Sequence, residues 1–165
     1  MSIVHKTAIL DKKYRVQLSE KSNVGPYSCL YTGDGLIVIE NAIITSHVCM
    51  FGHFNIYIGN YVLIAPNVVI ATGNHNYKQT VRPMINCSSD NSLTVGPIHN
   101  GYNIYIDDDV WIGANSVITD GVMVGGGAVI GAGSVITKNI EPFDIVVGNP
   151  QKVIGNRKLK EIFYK

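Results

Sequence analysis

The feature that most constrains this chain is a period of six between residues 106 and 141. Read in blocks, the stretch is IDDDVW, IGANSV, ITDGVM, VGGGAV, IGAGSV, ITKNIE. Every block opens on a branched aliphatic: Ile106, Ile112, Ile118, Val124, Ile130 and Ile136. The fifth position is aliphatic or small (Val110, Ser116, Val122, Ala128, Ser134, Ile140), and the second is Gly or a short polar residue. Neither the 3.6-residue spacing of an amphipathic helix nor the alternation of a two-sided strand yields six. An inward branched residue beside a turn former, repeated every six, is the pattern of a parallel β-helix. Three blocks close one triangular coil. A lone coil buries too little apolar surface to offset the ordering of its backbone, so coils must stack and share ladders and core.

The register extends less cleanly through most of the chain. Sixes start at Leu18 (LSEKSN), continue at Val24 (VGPYSC) and Leu30, and slip at YTGDG. They resume at Ile39 (IENAII), weaken at Thr45 and Phe51, slip once more, and run clean at Ile58 (IGNYVL), Ile64 (IAPNVV) and Ile70. The expectation is an all-β chain whose residues 18–147 form a parallel β-helix of about five triangular coils. Residues 1–17 show no clear period and read as an irregular lead-in. Between Ile70 and Ile106, counting in sixes puts Asn76, Arg82, Ser88, Thr94 and Asn100 at inward sites. None of these can fill an aliphatic core. Residues 73–99 are therefore expected to leave the prism as one long excursion loop, carrying His75, Tyr77, Arg82 and His99. Long loops in compact domains are usually functional or disordered, and these side chains favour function. After residue 147, Gly148 and Pro150 interrupt the ladder, and the basic tail 148–165 is expected as a short helix over the last open strand edge.

Composition fits one domain built of tight corners: 46% of residues are hydrophobic, only 15% are charged, and 17 are Gly. A net charge of +1 argues against a general nucleic-acid binder. No apolar run approaches the roughly 18 residues of a membrane span. The N-terminus lacks an apolar stretch followed by a cleavage site, so a cytoplasmic location is expected. Cys29, Cys49 and Cys87 are odd in number and lack metal-ligand spacing, which reads as reduced thiols with no metal site.

Three segments resemble the hexapeptide-repeat acyltransferases, specifically the branch of sugar O-acetyltransferases. They are IGNYVLIAPNVVIATGNHNY, then IDDDVWIGANSVITDGVMVGGGAVIGAGSVITKNI, then VVGNPQKVI. The resemblance spans about residues 18–155 and implies left-handed coils, an exception to the right-handed crossover rule. It also implies homotrimers with active sites between neighbouring prisms, and direct transfer of an acetyl group from acetyl-CoA to an acceptor hydroxyl.

Within that resemblance His75 falls on the family's catalytic histidine. The chemistry suits the position, because an alcohol attacks a thioester well only as its proton is removed, and neutral imidazole is the natural base. Taken alone, a loop histidine is more often merely solvated. Trp111, whose block position faces outward, is placed by the resemblance beside the pantetheine and acyl group. Ala114, Ala132, Thr137 and Lys138 match positions lining the CoA groove, where small residues admit the pantetheine and Lys138 and Lys152 meet phosphates. A family position that is often basic is Gly155 here, with Arg157 as the substitute.

The acceptor side departs from the galactoside and maltose enzymes, whose N-terminal helical segment has no counterpart in the lead-in. Thr45, His47, His53 and Asn74 are the acceptor candidates, and the start of the loop looks closer to enzymes acting on O-antigen or capsular sugars. Streptogramin-type antibiotic and amino-sugar acetyltransferases share the chemistry and stay open. So do a γ-carbonic-anhydrase-like metalloenzyme, suggested by five histidines but lacking its close His pair, and a non-catalytic scaffold.

Overall fold

The computed structural model describes residues 1–11, 15–73, 75 and 98–158. The first coil is built from β1 (Ile3–Val4), β2 (Ile9–Leu10) and β3 (Val16–Leu18). The second holds β4 (Asn23–Val24), β5 (Cys29–Thr32) and β6 (Ile37–Ile39). The third holds β7 (Ile43–Ile44), β8 (Cys49–Gly52) and β9 (Ile56–Ile58). β10 (Leu63–Ile64), β11 (Val69–Ala71) and β12 (Ile104–Ile106) make the fourth. β13 (Trp111–Ile112), β14 (Val117–Ile118) and β15 (Met123–Val124) make the fifth. The sixth has β16 (Val129–Ile130), β17 (Val135–Ile136) and a single parallel bridge from Ile140 to Val124. β18 (Asp144–Val147) then starts another round, and β19 (Lys152–Asn156) turns back antiparallel against it.

Through β17 each strand pairs with the strand three places away, giving three sheets that form the faces of a prism, and β18 and β19 extend the first of them. The first face runs β1-β4-β7-β10-β13-β16-β18-β19, the second β2-β5-β8-β11-β14-β17, and the third β3-β6-β9-β12-β15. The register stacks like on like. Ile44, Ile64, Ile112, Ile130 and Val146 form one inward column. Leu30, Met50, Ile70, Ile118 and Ile136 form the second. Ile39, Ile58, Ile106 and Val124 form the third. All of these are buried, as are the fifth-position residues Val110, Ser116, Val122, Ala128, Ser134 and Ile140. The two serines stay satisfied inside, donating to the Gly131 carbonyl at 3.1 Å from Ser116 and 2.5 Å from Ser134.

Two expectations are corrected. Residues 1–17 are not an irregular lead-in: they supply β1, β2 and the start of β3, so the solenoid has about six coils instead of five. Val4, Leu10 and Val16 do stand six apart, but the largely charged run between Leu10 and Val16 and the two-residue shift to Leu18 hide the repeat. The tail is not helical through 156. It is the β-strand β19, whose backbone pairs with the edge that β18 would otherwise expose.

The slips in the repeat share one physical location. YTGDG starts within the end of β5, residues 51–54 start within the end of β8, and the excursion follows β11, all leading into the corner between the second and third faces. This corner is widened in three successive coils and stitched by polar side chains. The Thr72 hydroxyl accepts from the Phe54 amide at 3.1 Å, and Asn55 accepts from the Leu36 amide at 2.9 Å while donating to the Gly101 carbonyl at 3.0 Å. Gly52 is required there, with φ of 141° and no room for a Cβ against the Thr72 carbonyl.

Because the columns are continuous, one gap is felt along the prism. Ile118→Ala should cost about 2–5 kcal/mol, the usual range for a buried Ile truncation. Equilibrium urea unfolding checks this, with a lower midpoint at unchanged slope as the expected result.

Candidate active site

Most of the described candidate residues fall along two edges of the prism. At the corner between the second and third faces, His53 follows β8, Gly73 and His75 follow β11, and Thr137 and Lys138 follow β17. His53 and His75 are both exposed. Phe54 lies close to Gly73, since a Cβ on that glycine would sit 3.6 Å from the Phe54 ring and 4.0 Å from the His53 amide nitrogen. Gly33 leaves space under the His53 ring, where a Cβ would come within 2.6 Å of Nδ1. The widened corner thus carries histidines in consecutive coils and the start of the excursion. Asn74, Tyr77, Arg82 and most of the loop lie outside the described residues.

At the corner between the first and second faces lie Thr45, His47, Ala114 and Ala132. His47 takes the corner's left-handed conformation (φ 56°) and stacks on Tyr27 one coil below, with ring centroids 5.1 Å apart. Thr45 donates its hydroxyl to the Ile64 carbonyl at 2.8 Å, so that group is engaged in holding two coils together. Ala114 and Ala132 occupy the same corner one coil apart, and the coils approach closely there: a Cβ on Gly113 would sit 2.5 Å from the Ala132 nitrogen. Trp111 projects from the first face beside this corner and is 51% exposed, while its strand neighbour Ile112 is buried.

Lys138 is linked to the start of β19, where Lys152 stands, through a residue that spacing did not single out. The Gln151 side chain accepts from the amides of Thr137 at 2.7 Å and Lys138 at 2.9 Å, and donates to the Lys138 carbonyl at 3.1 Å. It caps β17 where no further strand follows and fixes the Lys138 backbone, while Lys152 pairs with Val147 in the ladder; both lysine side chains are exposed. A polar residue after the Gly-Asn-Pro turn was the only sequence signal for this. Arg157 sits elsewhere, at the corner between the third and first faces. Its Nη1 donates to the Gly127 carbonyl at 2.7 Å and pairs with Asp109 at 3.1 Å, which ties β19 to the prism.

On the third face, beside the base of the excursion, Tyr57 stacks on Tyr105 at 4.8 Å, with Tyr102 tilted against it at 5.3 Å. Among the described residues no group of three or more His, Cys, Asp or Glu side chains is placed to hold a metal ion. Among the same residues no helix is long and apolar enough to cross a membrane.

Comparison with known proteins agrees with this architecture. Residues 103–138 match the family described as bacterial transferase hexapeptide (six repeats). Over 166 aligned residues the chain is 30% identical to galactoside O-acetyltransferase of Escherichia coli (strain K12), covering 99% of this chain and 76% of that enzyme. The chain belongs to the hexapeptide-repeat acetyltransferases. A galactoside O-acetyltransferase of Lactococcus lactis is 33% identical over 67% of this chain, which is 47% of that enzyme's length. Among solved structures, a hexapeptide-repeat acetyltransferase of Vibrio cholerae, in complex with acetyl-CoA, is 25% identical with a TM-score of 0.54. The match covers 94% of this chain and 70% of that one. An N-acyltransferase from Bacillus cereus shares the fold at a TM-score of 0.74 and 21% identity, over 98% of this chain and 83% of its own.

The tyrosine cluster yields a pH-dependent consequence. Burial first, then Tyr105, Glu40, Asp108 and Tyr102, push the Tyr57 pKa up to about 12. An unfolded tyrosine ionises near pH 10. The stability tied to the neutral phenol is therefore intact below about pH 10 and lost as pH rises towards about 12. Tyr57→Phe should flatten that alkaline loss, measured as urea midpoints at about pH 9 and about pH 11. An equally steep loss in the variant would assign it to other groups.

Proposed function

We propose that this chain transfers an acetyl group from acetyl-CoA to a carbohydrate hydroxyl, with His75 as general base, in a site formed between two copies of a homotrimer. The observation that carries the reading is the division of the candidates between two edges. His75, His53 and Lys138 line one edge, and Trp111, Ala114 and Ala132 line another, with the whole second face between them. At about 3.3 Å per residue, a face of roughly five or six residues separates them by some 15–20 Å. One prism cannot wrap both groups around one thioester. Two copies packed edge to edge can, and a heterologous contact of this kind with a threefold rotation closes into a ring of three.

In that arrangement the acceptor hydroxyl lies against the His75 imidazole and the thioester carbonyl lies beside Trp111. The neutral ring takes the hydroxyl proton as the oxygen attacks the carbonyl carbon. The tetrahedral adduct then collapses, the carbon–sulfur bond breaks, and the imidazolium returns the proton to the departing thiolate. No acyl-enzyme is needed. The small corner residues Ala114 and Ala132 let the pantetheine arm lie close to the coil backbone. Lys138, whose backbone is held by the Gln151 side chain, and Lys152, the next residue after Gln151, are both exposed and available to phosphates. The E. coli and L. lactis relatives are named as galactoside O-acetyltransferases, which supports a sugar hydroxyl as acceptor. The long excursion beside His75 and His53 favours a surface-polysaccharide precursor, such as an O-antigen or capsular unit acetylated in the cytoplasm.

Subunit mixing tests the shared site. His75→Ala should lose about 10²–10⁴ in kcat while keeping acetyl-CoA binding and oligomeric state, and Trp111→Ala should also be impaired. Refolded together one to one, the variants should regain activity, because roughly a quarter of the sites in randomly mixed three-subunit rings pair two intact edges. Mixtures no more active than their parents would show that each chain carries its own site. A panel of saccharides, amino sugars and streptogramins, followed by thiol release, identifies the acceptor, and turnover confined to non-saccharides would reject that half of the proposal. Lys138→Ala should raise the acetyl-CoA KM by about tenfold or more with kcat little changed.

A further inference from the structure

Away from the two edges, the second face carries a pair of thiols whose relation is invisible in the linear spacing. Cys29 in β5 and Cys49 in β8 are register partners in adjacent parallel strands. Their neighbours Leu30 and Met50 are fully buried, while both cysteines are half-buried, so both thiols leave the prism on its outer side. Neither is in a disulfide. Neighbouring strands lie about 4.8 Å apart, and a disulfide spans Cα atoms separated by roughly 4.4–6.8 Å. The surroundings in the ladder are apolar: Ile9 pairs with Cys29 on one side and Val69 with Cys49 on the other. Tyr31 and Phe51 form the next rung alongside. Among the described residues, two thiols stacked on consecutive rungs have each other as the nearest thiol partner.

We infer that Cys29 and Cys49 form a redox-active dithiol that closes to an intrachain disulfide when a peroxide is the oxidant. The Cys29 thiolate attacks one peroxide oxygen, the O–O bond breaks, and the sulfur becomes a sulfenic acid while hydroxide leaves and is protonated to water. The Cys49 sulfur then attacks the Cys29 sulfur. The S–S bond forms, the S–O bond breaks, and the second oxygen departs as water with the Cys49 proton. The two sulfurs together give up two electrons, which the peroxide accepts. Burial first, then the adjacent Cys29 charge and hydrogen bonding to Cys29, push the Cys49 thiol pKa up. The raised Cys49 thiol suits the resolving role, which leaves Cys29 as the attacking sulfur. The bond would staple the second coil to the third through β8, the strand that runs from His47 to His53.

The full-length chain bearing Cys87→Ser, which removes the third cysteine, is treated with hydrogen peroxide and its free thiols are titrated. Both thiols should disappear together and return with dithiothreitol, and non-reducing peptide mass mapping should find Cys29 joined to Cys49. The wild-type chain mapped in the same way should yield the same cross-linked peptide, which keeps the test independent of that substitution. Adding Cys29→Ser should abolish the intrachain cross-link and leave Cys49 reduced or singly oxidised. Thiols that survive peroxide, separate over-oxidation of the two sulfurs, or cross-links only between chains would overturn the assignment.

Discussion

The structure depends on one interaction repeated along its axis: the parallel ladder that sets each coil on the one before it. Each strand is only two to five residues long and has no stability of its own. The ladder supplies hydrogen bonds in register, and register puts aliphatic on aliphatic, so Ile64 meets Ile44 and Ile112, and Ile118 meets Ile70 and Ile136. A shift by one residue would turn every inward side chain out. The period of six is the sequence record of that penalty. The same logic explains the antiparallel β19, because a parallel stack that simply stopped would present an open edge.

Rigidity along the axis leaves the corners as the places where the chain can vary. Two corners hold tight left-handed turns at stacked positions, such as His47 and Asn67 at one and Tyr61 and Asp109 at another. The third corner widens, and the irregularities of three successive coils collect there. A bulge in one coil leaves the next without a flush surface, so neighbouring bulges support one another through Thr72 and Asn55. An excursion is tolerated where the ladder is already loosened. The His75 loop therefore leaves from this corner, and the rest of the prism acts as the fixed frame behind it.

The two-edge distribution has a further consequence for how such a chain can evolve. Each edge has its own structural tasks: Thr45 holds two coils together, Gln151 closes the last strand, and Arg157 ties β19 down at the remaining corner. Chemistry is added on top of these tasks by side chains that project outward, which the core does not constrain. Trp111 can change without disturbing Ile112, because strand alternation sends them to opposite sides of the sheet.

Much of the fold was legible before any coordinates. The clean blocks from 106 to 141 determine their inward columns, since a branched residue every sixth position has only one packing that buries it. The failure of the pattern after Ile70 likewise marks the excursion, because Asn and Arg cannot fill an aliphatic column. The first coil was hidden because the spacing of Val4, Leu10 and Val16 is followed by a two-residue shift to Leu18, and the tail because a strand pairing antiparallel to an edge need not keep the period. His75 and Trp111 were recognisable individually, but their placement on separate edges depends on which face each strand joins. The pairings of Gln151 with Lys138 and of Cys29 with Cys49 were not legible at all. Sequence determines what one coil buries and where it turns; only the stacked structure decides which residues a coil apart become neighbours, because that depends on the summed length of every corner between them.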